Sequence, residues 1–188
     1  LAGAAVLGVG DGLTELSARG LVRGDPGVAL RHAEAAAALT PWNDLAHGYR
    51  GAALARLGRG EEALAALDRA RRLGPYEPWY AQMAATELGR QGRWLEAADA
   101  WADYVRLWPW EAEAYAEAVA AHLRYLDAAE AAGERVQAVR LAESGQRILA
   151  ALERQKAREP SGAPRRGMEV DRPVFAEARE RFAAVLGP

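Results

Sequence analysis

The sequence predicts an all-α protein: an α-solenoid of antiparallel helix pairs, with three regular units, one extended hairpin and a C-terminal capping helix. Two observations predict it. The tetrapeptides Leu39-Thr40-Pro41-Trp42, Leu73-Gly74-Pro75-Tyr76 and Leu107-Trp108-Pro109-Trp110 set their prolines 34 residues apart, twice. Gly24, Gly58 and Gly92 keep the same interval of 34, as do Ala29, Ala63 and Ala97. A unit of that length holds two helices and a turn, and cannot bury its apolar face alone. Stacked neighbours must complete the core.

The elements follow in order. Residues 1–9 are an apolar lead-in that stops near Asp11. Ten apolar residues fall short of the about 20 that span a bilayer, and no basic segment precedes them. The stretch reads either as the first turns of a buried helix or as the tail of a membrane helix upstream. A start at Leu1 rather than Met suggests a fragment of a longer protein. Residues 10–111 make the three regular units. The first contains Asp25-Pro26, an N-cap followed by proline at the first helical position, then Ala29, Ala33 and Ala36 on one face. In the second, Asn43 to Leu57 is rich in Ala and Leu, and Gly58-Arg59-Gly60 interrupts it. Glu61 and Glu62 then favour a helix N-terminus, and Ala63, Leu67 and Ala70 follow at i, i+4, i+7. Gly74-Pro75 closes that helix, with the glycine expected in a left-handed C-cap. The third unit runs Pro78 to Arg90, breaks at Gln91-Gly92, and resumes from Trp94 to Leu107 with Ala97, Trp101 and Tyr104 aligned.

After Pro109 the period fails. Tyr115, Val119, His122, Leu126 and Ala129 form one apolar seam, and the next glycine is Gly133, about two helical turns late. Ala138, Leu141, Gly145, Ile148 and Leu152 form a second seam that ends at Glu159-Pro160. Residues 112–160 therefore read as an extended hairpin of two helices of about 20 to 25 residues, each about 30–37 Å long. Residues 161–172 are a turn-rich loop through Ser161-Gly162-Ala163-Pro164. Residues 173–188 form the capping helix, with Phe175, Ala178, Phe182 and Val185 facing inward.

Composition removes several function classes. With 24 Lys+Arg against 26 Asp+Glu, a net charge of −2 and a pI near 6.0, the 188-residue chain lacks the basic excess of a nucleic-acid binder. Without cysteine it has no disulfide, thiol nucleophile or sulfur-ligated zinc. Lys156 is the lone lysine, so arginine carries the positive charge; with the abundant Ala and Gly this points to a GC-rich bacterial source. Gly8-Val9-Gly10-Asp11-Gly12 misplaces its third glycine for a phosphate-cradling loop. His32, His47 and His122 lack metal-ligand spacing. Glu61, Glu62, Asp99 and Asp103 fit solvated helix faces, and Ser17, Ser144 and Ser161 sit in no nucleophile elbow. No catalytic residue, metal site or cofactor is expected.

The columns resemble those of the tetratricopeptide repeat (TPR) family. The second unit carries Gly51, Leu54, Gly58, Ala63, Leu67, Ala70 and Pro75 in the family's positions. The third carries Ala85, Leu88, Gly92, Ala97, Trp101, Tyr104 and Pro109. His47 and Ala81 depart from it, standing where the family prefers Trp. The resemblance covers about Gly10 to Glu111. It implies a concave groove lined by the first helix of each pair: Leu45, Gly48, Ala52, Ala55 and Arg56 in the second unit. Trp79, Gln82, Thr86, Gly89 and Arg90 are their counterparts in the third, and Glu113, Ala116, Ala120, Leu123 and Arg124 in the fourth. Arg56, Arg90 and Arg124 are 34 apart, and Trp42, Tyr76 and Trp110 repeat the interval as an aromatic ladder expected beside them. Arginine forks with aromatic faces suit a carboxylate, a phosphate or a sugar ring. Alternatively the arginines answer the helix dipole and the aromatics staple consecutive units. Thr14, Ala18, Gly48 and Ala52 exclude the Lys/Asn clamp with which some members hold chaperone C-termini.

Three functional readings follow. The first is a non-catalytic scaffold that binds a protein, peptide or glycan on its concave face. The second rests on the hexapeptide Pro75-Tyr76-Glu77-Pro78-Trp79-Tyr80 and the apolar start, which are similar to soluble C-terminal domains of bacterial O-antigen ligase or polymerase-type membrane proteins. That resemblance implies an extracytoplasmic accessory domain in glycan assembly; otherwise a cytoplasmic location is expected. The third is self-association through the long hairpin.

Overall fold

Within each helix pair the turn is set by one glycine. The connections 23–25, 57–59 and 132–134 are three residues long with glycine in the middle, and Gly24, Gly58 and Gly133 have φ of 76°, 76° and 73°. Glycine enters this left-handed region without a Cβ penalty. The following amide then reaches back over six residues: Asp25 N–H donates to Gly20, Arg59 to Leu54 and Glu134 to Ala129, at 2.9, 2.9 and 2.8 Å. These are Schellman closures, which satisfy carbonyls that a helix end leaves bare. Between pairs the join is different. Thr40, Gly74 and Trp108 close the second helices at φ of −131°, −120° and −127°, each before proline. Proline disfavours helical backbone in the residue before it, so the chain leaves extended. The expected left-handed C-cap at Gly74 is thus corrected. Glycine is needed there for a different reason: a Cβ would collide with the carboxylate of Asp44.

The computed structural model describes residues 2–158 and 172–187, and among them every regular element is a helix. The chain divides into two compact units at Gln91/Gly92. Unit 1 holds α1 (Ala2–Val22), α2 (Pro26–Leu39), α3 (Asp44–Arg56), α4 (Gly60–Leu73) and α5 (Pro78–Arg90). The lead-in continues into α1 without a break, so Gly8, Gly10 and Gly12 lie inside a helix rather than a loop. Consecutive helices pack on one another, and α3 also packs on both α1 and α5. Small residues make this close approach possible: Ala29, Ala33, Ala36, Ala63 and Ala70 are wholly buried around Leu54 and Leu67. The alanine columns read from the sequence are therefore the inter-helix seams. Asp25 and Asn43 cap α2 and α3 through their side chains.

Unit 2 holds α6 (Trp94–Leu107), α7 (Ala112–Ala131), α8 (Arg135–Lys156) and α9 (Pro173–Leu186). At 20 residues α7 exceeds the 13 of α5 by seven, two helical turns, which accounts for the late glycine. Whole turns keep the seam in phase, and Tyr115, Val119, His122 and Leu126 are all buried. On α9, Phe175, Ala178 and Phe182 are fully buried and the helix packs on α8 and α7, closing their apolar face as a cap. The predicted loop from Ser161 to Gly167 lies outside the described residues, as does Glu159-Pro160. No helix among the described residues is long and apolar enough to cross a membrane.

Candidate binding surface

In unit 1 the first helices of the pairs, α1, α3 and α5, share one layer. The approach of α5 to α3 depends on Gly48: a Cβ there would overlap the Tyr80 ring and stand 2.9 Å from Cζ3 of Trp79. The two rings can therefore lie over the α3 backbone. Trp79 meets Tyr49 at a centroid distance of 5.3 Å and 57°, and Tyr80 at 5.5 Å and 56°. Tyr80 is fully buried, and its hydroxyl donates to Asp44 Oδ2 at 2.9 Å. Burial and that carboxylate raise its pKa well above the ordinary tyrosine range. Tyr49, Ala55, Trp79 and Met83 remain only partly buried while resting on the core residues Leu21, Ala52 and Leu54. They make an apolar floor open to solvent. Burial raises the pKa of the Tyr49 hydroxyl, and the charges of Glu15 and Glu77 raise it further.

The sequence-derived candidates separate into groups. Trp79, Gln82 and Thr86 follow one face of α5 at i, i+3 and i+7, with Met83 beside them. Thr86 returns its hydroxyl to the Gln82 carbonyl at 2.9 Å. Arg56 donates from Nη1 to the carbonyl of Leu21, so it caps the end of α1. Arg90 forks onto Glu87, with Nε to Oε2 at 3.0 Å and Nη2 to Oε1 at 2.6 Å. Glu87 is a buried carboxylate that also accepts from Gln91 and packs where Gly60 has no side chain. In unit 2, Arg124 is exposed and lies seven residues before the end of α7, so it does not answer that helix's terminal dipole. Trp42, Tyr76 and Trp110 are 59, 87 and 57% exposed, too open to staple consecutive units.

The two ladders do not lie side by side, which corrects the expected arrangement. Trp42 and Tyr76 precede α3 and α5, whereas Arg56 and Arg90 end them. A 13-residue helix is about 20 Å long, so one small ligand cannot touch both members of a set. Trp110 and Arg124 are likewise divided by 14 residues, most of them in α7. Equal sequence interval gives equal phase and says nothing of proximity. Tyr49 and Met83 escaped the sequence reading although they too are 34 residues apart. They occupy the position beside the expected groove column. Glu87 and Asp44 escaped because their partners, Gly60 and Tyr80, lie on other helices. Among the described residues no group of three or more His, Asp or Glu side chains could hold a metal.

No family model matches the sequence. No curated protein matches it either. Solved structures do. A Thermobaculum terrenum O-GlcNAc transferase mutant superposes with a TM-score of 0.58 at 20% identity, over 66% of this chain and 26% of that one. This chain thus spans about a quarter of the transferase. MamA from Desulfovibrio magneticus RS-1 superposes at 0.55 and 19% identity, over 94% of this chain and 93% of that one. A thermophilic TPR protein of Thermus thermophilus gives 0.54 and 18%, over 94% and 98%. At such identities the likeness concerns backbone architecture, and the architecture is that of a TPR-like helical solenoid.

Proposed function

We propose that the chain is a non-catalytic interaction scaffold that holds a peptide segment of a protein partner against the first-helix face of unit 1. The observation that carries this is the half-buried floor of Tyr49, Trp79 and Met83 across α3 and α5. An aromatic pair on a fixed helical base offers large contact area at low entropic cost, the usual character of an interface anchor. Gln82 and Thr86 extend the face along α5 and supply polar groups for orientation. The charges of Glu77 and of Glu15, which also pairs with Arg19, reach Tyr49 and favour a partner segment with a basic residue next to its apolar anchor. Arg56 and Arg90 are engaged with the Leu21 carbonyl and Glu87, so this reading does not rely on them as ligand contacts.

Selection from a displayed peptide library on the full chain tests the reading. Enriched peptides should share an apolar anchor next to Lys or Arg. Met83→Glu, and separately Trp79→Ala with unchanged helical circular dichroism, should weaken them by at least about tenfold. Equal binding to wild type and to both variants would refute the site. Enrichment of a saccharide in a glycan array, lost in Trp42→Ala and Tyr76→Ala, would transfer function to the exposed aromatics. The ligase-like setting has less support, because the hexapeptide has local employment. Pro78 starts α5, Glu77 caps Trp79 N–H, and Tyr80 bonds Asp44. Membrane helices upstream in the full gene product would restore it. Self-association through the hairpin would place Val136, 73% exposed, in the contact, and sedimentation across a concentration range tests that.

A further inference from the structure

Unit 2 contains a cavity of about 440 Å³ lined chiefly by α6 and α8. Its charges are lopsided. Arg147, Arg154 and Arg158 reach it from α8, against the single lining carboxylate of Asp99; Arg106, from α6, is paired with Asp103 at 3.0 Å. The whole chain has more acids than bases, so this excess is local. Helical phase produces it: residues 147, 151, 154 and 158 are spaced by 4, 3 and 4, which puts three guanidinium groups and Ala151 on one face of α8. Elsewhere in the unit arginines meet acids, as Arg93 does Glu96, Arg181 does Asp127 and Glu130, and Arg179 does Glu153. Among the described residues Arg147, Arg154 and Arg158 form no ion pair. Beneath the guanidinium groups the lining is apolar, with Val105, Ile148 and Pro109. Ser144 and Gln155 are buried polar groups at the wall. Ser144 donates to Nε2 of His122 at 3.1 Å, so its hydroxyl proton is already engaged and the arginines remain the donors for an oxyanion.

We propose that this cavity binds a small organic phosphate, its head held by the forks of Arg147, Arg154 and Arg158 and its body resting on Val105, Ile148 and Pro109. The volume falls within the about 300–1,000 Å³ of small-molecule sites. Arginine forks match oxyanions bidentately, and three of them exceed what the two oxygens of one carboxylate can accept. The terminal oxygens of a phosphate monoester can receive them all. Because the cavity is built from residues of unit 2 and the peptide floor from residues of unit 1, either site can fail without the other.

Calorimetric titration of the full chain with phenyl phosphate, inorganic phosphate and benzoate tests the assignment. Phenyl phosphate should bind at least about tenfold more tightly than inorganic phosphate, which lacks the apolar body, and than benzoate, which lacks the doubly charged head. Arg147→Gln and Arg154→Gln should each weaken it by about tenfold or more, whereas Arg140→Gln, on α8 but outside the cavity, should leave it unchanged. Amide shifts in a heteronuclear NMR titration should concentrate on α6 and α8. No heat with phenyl phosphate at about 10 mM would overturn the proposal, since that limit excludes any useful affinity. Equal loss in Arg140→Gln would overturn it as well, by reducing the effect to diffuse charge. A phosphotyrosyl peptide that binds more than about tenfold tighter than phenyl phosphate would replace the small ligand with a protein partner.

Discussion

Gly145 offers a test in which helix propensity and packing have opposite signs. It lies inside α8, where glycine costs about 1 kcal/mol relative to alanine. On propensity alone Gly145→Ala stabilises. The structure predicts the reverse, because a Cβ at 145 would collide with the ring edge of Phe182 on α9 and lie 3.0 Å from its Cδ2. The ring cannot swing away: Phe182 is fully buried, and the buried Ala178 and Val185 fix the same helix on either side of it. Overpacking of a fixed ring falls in the upper part of the about 1–3 kcal/mol range, say about 2–3. Subtracting the propensity gain of about 1 leaves Gly145→Ala destabilising by about 1–2 kcal/mol. Phe182→Ala alone should cost about 3–5 kcal/mol through the cavity it opens. In that background the collision is gone, and Gly145→Ala should now stabilise by about 1 kcal/mol. Urea unfolding of the four proteins, followed by circular dichroism, gives the cycle, with an expected coupling of about 2–3 kcal/mol. Stabilisation by Gly145→Ala in both backgrounds would show that α9 does not seat against α8 as described.

Two further outcomes are expected. His122 is fully buried, its Nδ1–H donating to the Ala118 carbonyl at 2.8 Å while Nε2 accepts from Ser144, so the ring is held neutral. Burial, then the Arg147 charge, push its pKa down to about 4, with the bond to Ala118 and Asp99 opposing them. The unfolded chain binds this proton from about pH 6.5 downward and the folded chain only near 4. Stability should therefore fall as pH drops through that window and level off below it, by about 3 kcal/mol in all. His122→Asn should flatten that part of the pH–stability profile; an unchanged slope would refute the buried neutral ring. Tyr80→Phe should destabilise unit 1 by about 1–2 kcal/mol, since Asp44 loses its donor at 2.9 Å. Adding Asp44→Ala should cost little more in the double mutant than in Tyr80→Phe alone, and a fully additive loss in urea unfolding would contradict the bond.

The sequence by itself determined the order of the helices, the turns within the helix pairs and the apolar seams, though not the backbone of Gly74 between pairs. Those depend on local backbone chemistry and on phase: a glycine at 24, 58 and 133 that enters the left-handed region, a proline at 41, 75 and 109 that forbids continuation, and alanines one period apart. What only the tertiary structure decided was which side chains meet. Arg56 and Arg90 looked like equivalent members of a ladder, yet Arg56 caps α1, a helix the sequence does not place beside it, while Arg90 holds Glu87 of its own helix, whose burial only the packing against Gly60 decides. The aromatic ladder was legible as a period but not as a position, since its distance from the arginines is the length of an intervening helix. Tyr49 over Trp79 and the three arginines of α8 were present as spacings and invisible as sites. A repeat fixes rotation about each helix axis, while a binding surface needs distances between axes, and those are set by the size of the residues packed between them.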